Sequence, residues 1–159
     1  MSFSRRPPPR VHQSNEWWCW AACLEILNRA HPEKFTPIRY SQSQWVDWLR
    51  NQQAGAQLLN QHGGINTSML PQVLRALRMG GQMYEGPPGD RPDIAFIEDK
   101  LHTSYLMGVR VVRGGSHFVI IYGVDERNVL YFDPYGHRGN RTMTHEVIQS
   151  DRLIVAWKN

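Results

Sequence analysis

Gln13-Ser-Asn-Glu-Trp-Trp-Cys-Trp-Ala-Ala-Cys-Leu-Glu-Ile-Leu-Asn-Arg-Ala30 is the stretch on which the fold turns. From Cys19 onward apolar residues recur at 20, 24 and 27 and at 19, 22, 23, 26 and 30, the pattern of a helix buried around much of its circumference. His31-Pro32 ends it, because the residue before a proline is driven out of the α region. Cys19 therefore falls in the first turn. Backbone N–H groups without intrahelical partners and the positive end of the dipole favour a thiolate there, the form of sulfur that attacks carbonyl carbon. Taken alone, such a cysteine is more often a buried core thiol. Cys23, one turn further on, reads as core.

Working outward, residues 1–12 are rich in proline and arginine and read as a flexible linker, with a single domain over 13–159. Helices are expected over Ser41–Gln53, from Asn66 or Thr67 to Leu77, and over Asp93–His102. Gly80-Gly81 and the stretch 85–89 read as loops. Beyond residue 104 the pattern changes to short runs of β-branched and aromatic residues: Tyr105–Val112, His117–Tyr122, Val129–Asp133 and Leu153–Lys158. Helices followed by strands define an α+β chain whose C-terminal antiparallel sheet packs against the leading helix.

Composition excludes several classes. The 159 residues carry a net charge of +4, with arginines scattered rather than striped, which argues against a nucleic-acid partner. No apolar window is long enough to insert in a membrane, and no apolar run follows the N-terminal arginines, so no Sec signal peptide is read. The two cysteines, four apart on a helix, are badly placed for a disulfide and, unless histidines join them, too few for a zinc site, and a mechanism built on Cys19 implies neither a metal nor an organic cofactor.

A base for Cys19 is sought among seven histidines. His117 follows Arg113-Gly-Gly-Ser116 and opens a buried strand, an edge-of-core position equally open to a satisfied strand-end histidine. If the following hairpin turns at Asp125, positions summing to 250 face each other, and His117 lies opposite Asp133. The carboxylate would hold one ring nitrogen and leave the other for the thiol. Asp133-Pro-Tyr-Gly136 is also a good turn sequence, and both roles can hold together. Gln13, six residues before Cys19, could join the Cys19 N–H in stabilising an oxyanion. His62 lacks a carboxylate placed to orient it as an alternative base. Trp17 and Trp18 could wall a substrate groove or pin the loop. Gly63, Gly64 and Ser116 are candidates for the opposite wall, with a helix-capping turn as the plain alternative for the glycine pair.

These residues, in this order, resemble the papain-like cysteine peptidases: a glutamine six before a Cys-Trp at a helix start, a histidine opening a strand, and an Asn or Asp ending the next. Here they are Gln13, Cys19-Trp20, His117 and Asp133. The resemblance spans roughly 13–136 and looks most like the compact bacterial branch, which includes the peptidase domains of bacteriocin exporters that cut after Gly-Gly and secreted effectors. It departs from papain in its Asp, and in lacking a pro-segment and a disulfide pair. It implies a papain-like fold and a Cys-His-Asp thiol endopeptidase acting on protein, with a Gly-Gly preference as one possibility. A role as an effector or toxin delivered into the cytoplasm of another cell, restrained by a cognate immunity protein over the groove, is the expected biology. An amidase or deamidase on the same fold and an inactive binding module stay open as alternatives.

Overall fold

The computed structural model describes residues 2–52, 55–84, 94–112, 115–136, 139–144 and 152–158. In chain order the elements are β1 (Phe3–Ser4), α1 (Cys19–Ala30), α2 (Gln42–Arg50), α3 (Gly55–Leu58), α4 (Leu70–Ala76), β2 (Met79–Tyr84), α5 (Ile94–Leu101), β3 (Leu106–Val112), β4 (Gly115–Val124), β5 (Asn128–Asp133), β6 (Gly139–Thr144) and β7 (Arg152–Lys158). The strands form one sheet in the order β2-β7-β3-β4-β5-β6, and every named pairing is antiparallel. The α+β class with a C-terminal antiparallel sheet is as expected.

Side chains alternate across the sheet, so each face collects its own core. Phe118, Ile120, Tyr122 and Phe132 pack with Trp20, Leu24 and Leu27 of α1 and Trp45 and Leu49 of α2. On the other face Val119, Ile121, Leu153 and Val155 meet Ile97 and Leu101 of α5. α1 packs against both β4 and α2, so it is buried nearly all round, from Cys19 to Asn28. The helix stops at Ala30, ahead of His31-Pro32, as the proline requires. Ser41 caps α2 in a reciprocal box: its side chain accepts from the Gln44 N–H and the Gln44 side chain accepts from the Ser41 N–H.

Several expectations are corrected. Gly80 and Gly81 lie inside β2, opposite Trp157 and Ala156, rather than in a loop. A Cβ on Gly80 would come within 2.5 Å of the Trp157 ring, so the glycine makes room for an indole and does not break the strand. Neither Asn66 nor Thr67 caps a helix through its side chain; a 3-10 turn at Thr67–Met69 leads into α4, and the Asn66 amide donates to Gln57 O. The loop at 85–89 and the start of the helix at Asp93 lie outside the described residues.

Residues 2–12 are not a flexible linker in the structure. β1 pairs with Val124 and Gly123 at the end of β4, past the point where β3 begins opposite Ile121. The Arg5 guanidinium donates to Leu101 O at 2.7 Å, the Tyr105 hydroxyl donates to Arg6 O at 2.8 Å, and Val11 is buried. Proline-rich composition mimics a linker, but here the backbone finds its hydrogen bonds on the sheet edge. Among the described residues no helix is long and apolar enough to cross a membrane.

Leu24 sits fully buried between α1 and the sheet. Leu24→Ala should lower unfolding stability by about 2–5 kcal/mol, read from urea midpoints at unchanged m-value.

Candidate active site

Cys19 is the first residue of α1, and Trp18 before it caps the helix without a side-chain hydrogen bond. No acidic residue lies in the first turn, so nothing there neutralises the positive end of the dipole. The turn leading in is closed locally. The Trp17 N–H donates to Asn15 Oδ1, the Trp18 N–H to Asn15 O, and the Gln13 carboxamide to Asn15 O at 3.1 Å and Glu16 O at 3.0 Å.

His117 stands near the open end of β4. Its Nε2–H donates to Asp133 Oδ1 at 2.9 Å, and the Cys19 side chain is its neighbour in the cleft. With Nε2 committed to the carboxylate, Nδ1 is the ring nitrogen left for another partner. Asp133 is almost fully buried, and its Oδ1 takes a second hydrogen bond from the Tyr135 N–H at 2.9 Å.

The hairpin reaches this arrangement by a register other than the expected one. The turn spans Asp125–Asn128, and Asp125 Oδ1 accepts from the Arg127 and Asn128 N–H groups. A bulge between Ile121 and Gly123 then places Ile120 opposite Phe132, not Phe118. Continuing that ladder sets Asp133 beside Val119, so the carboxylate reaches His117 diagonally, one pleat along the same face.

Burial pushes the His117 pKa down, but the hydrogen bonds to Asp133 and Cys19 and the charges of both groups outweigh it, and the net result is a rise to about 9. Cys23 is fully buried, and burial first, then the Cys19 and Asp133 charges, push its thiol well up. It is a neutral core thiol, as its spacing implies. Both cysteines are free.

Cys19 and His117 open into a cleft of 420 Å³ whose walls include Trp17, Gly64, Asn66, Thr67, Ser116 and Tyr135. Trp17, Gly64 and Ser116 are thus at the groove. Trp18 and Gly63 are not among its lining. A Cβ on Gly63, at φ +87°, would fall 2.6 Å from Trp18 Nε1, and Gly63 O accepts from Trp20 Nε1. That pair is a close-packed joint behind the wall, where only glycine fits. Trp17 and Tyr135 are the two exposed large hydrophobics among the described residues. Tyr135 was hidden in the sequence by turn chemistry, which accounts for the residues around it without requiring a binding role. His62 stacks on the Trp17 indole at the rim, with ring centroids 5.1 Å apart.

The chain has the fold of the papain-like cysteine peptidases. Among solved structures it is similar to the peptidase domain of Streptococcus ComA, a bi-functional ABC transporter involved in a quorum-sensing pathway (18% identity, TM-score 0.55, 91% of this chain and 93% of that one). It is also similar to a double-glycine-motif protease from an AMS/PCAT transporter solved with its leader peptide (15%, TM-score 0.51, 100% and 99%). A C39-like peptidase from Bacillus anthracis shares the fold as well (11%, TM-score 0.57, 100% and 98%). No protein-family model and no curated protein sequence matches the chain.

The raised pKa has a definite sign. The contacts of the His117 imidazolium contribute fully below about pH 6.5, the unperturbed value, and are lost as pH rises through about 9. An NMR titration of His117 should therefore show a midpoint near 9. In Asp133→Ala, with the main hydrogen-bonded anion gone, the midpoint should fall, and Asp133→Asn should lie between the two.

Proposed function

We propose that the chain is a cysteine endopeptidase. The observation that carries the proposal is a single imidazole bound to a buried carboxylate at 2.9 Å and neighbouring a thiol at a helix start, both lining one cleft. A sulfur at a helix N-terminus beside a charged imidazole is held as a nucleophile rather than as packing.

In this reading the Cys19 proton resides on His117, and the sulfur attacks the scissile carbonyl as the thiolate, forming a bond from sulfur to carbon. The carbonyl oxygen becomes an oxyanion, received by the Cys19 N–H and by the Gln13 amide when it exchanges a backbone carbonyl for the substrate. His117 gives its proton to the leaving amine as the C–N bond breaks. It then takes a proton from water, whose oxygen displaces the thiolate from the acyl-enzyme. Asp133 keeps the ring oriented throughout.

The similar double-glycine-motif protease, solved in complex with the leader peptide, supports an extended peptide with Gly-Gly before the cut as the first substrate to try. Cys19→Ala and His117→Ala should each lower kcat/KM on such a fluorogenic peptide by at least about 1,000-fold while keeping the wild-type circular dichroism. Wild-type rates in either variant would overturn the assignment.

We propose further that the enzyme acts as a delivered effector whose groove is covered at home by an immunity protein. The exposed Trp17 and Tyr135 at the cleft offer such a partner aromatic anchors. Expressing the whole chain inside bacteria should then slow growth, and Cys19→Ala should abolish the effect. Equal growth of the two strains at matched protein levels would remove the basis for this role.

A further inference from the structure

Gln42 is an unusual residue to bury. It is the first residue of α2, a helix fixed in the core by Trp45, Val46 and Leu49, and it is only 6% exposed. A buried carboxamide has to find partners for its oxygen and its nitrogen, or it costs stability. Here both partners are backbone groups of one short segment. Gln42 Nε2 donates to His12 O at 2.8 Å, and the Ser14 N–H donates to Gln42 Oε1 at 2.8 Å.

In an extended chain the carbonyl of one residue and the N–H two residues on point to the same side, while the residue between presents its own groups to the other. That other side is occupied too: the Gln13 N–H donates to Pro134 O at 2.9 Å, the residue next to Asp133. The segment 12–14 is therefore held like a strand between two neighbours. On one edge the neighbour is the side chain of Gln42, and on the other it is the turn that carries the catalytic carboxylate. Gln13, bracketed at the centre, closes the Asn15–Glu16 turn into Cys19 through its own amide.

We propose that Gln42 is a positioning residue for the reaction. Its carboxamide stands in for a strand edge and holds Gln13 and the Cys19 turn in register with Asp133. The inference rests on the peptidase reading. It assigns Gln42 no contact with substrate, so its effect must pass through Gln13.

Gln42→Met keeps the volume and removes both hydrogen bonds. On the Gly-Gly peptide it should lower kcat roughly tenfold or more, with KM within about threefold, since the groove itself is untouched. In a Gln13→Ala background the same substitution should change kcat by less than about threefold, because the element it positions is already gone. Gln42→Glu, which keeps the acceptor for the Ser14 N–H and as the neutral acid can still donate to His12 O, should fall between. An unchanged kcat, or an equal loss in both backgrounds as a general loss of stability would give, overturns the proposal. Hydrogen exchange separates it from the activity itself. If the wild type cleaves no peptide, the peptidase reading fails, and the clamp is still decided by the Ser14 and Gln13 amides. They should be protected in the wild type and fast in Gln42→Met. Fast exchange in the wild type overturns the clamp.

Discussion

A carboxylate taken out of water must be matched by a positive group, and Asp133 is almost fully buried. Its match is His117 at 2.9 Å, and that pairing decides much of what surrounds it. The β4–β5 hairpin needs its bulge to bring the two side chains to one corner. The imidazole, kept charged by the carboxylate to about pH 9, lies beside a thiol in the cleft. The helix that brings this thiol is buried along one face of the same sheet. The thiol is thus placed by core packing, and the imidazole by electrostatics. Each is anchored in rigid secondary structure rather than in a mobile loop.

What the sequence makes legible is what depends on short range. Helical period and the His31-Pro32 stop define α1, and alternation with β-branched residues defines the strands on either side of His117. The chemical order Gln13, Cys19, His117, Asp133 follows from these. Legibility fails where a residue's role is set by something distant. Gly80 reads as a breaker because the Trp157 ring that needs its space is 77 positions away in the chain. Residues 2–12 read as linker because their partners, Gly123, Val124 and Leu101, belong to elements far along the chain. Trp17 and Trp18 are adjacent and identical in type. One faces the cleft and the other meets Gly63 behind it, a difference made only by the direction the chain takes into α1.

The hairpin register is an instructive intermediate case. The partner of His117 follows correctly from alternation, since any register that keeps parity leaves 117 and 133 on one face. The facing pair does not follow, because a four-residue turn and a single bulge shift the ladder without changing parity. Period-two arguments therefore survive errors that defeat exact pairing.

Cys23 gives the molecule an internal standard. Two thiols lie one helical turn apart, one open to the cleft beside a charged ring and the other wholly enclosed with its proton held tightly. An electrophile in water meets one equivalent of sulfur per folded chain. The mass it adds counts competent sites in any preparation. The second equivalent becomes reachable only when the core opens, so the rate at which it reacts is a clock for unfolding, read from the same sample by the same reagent.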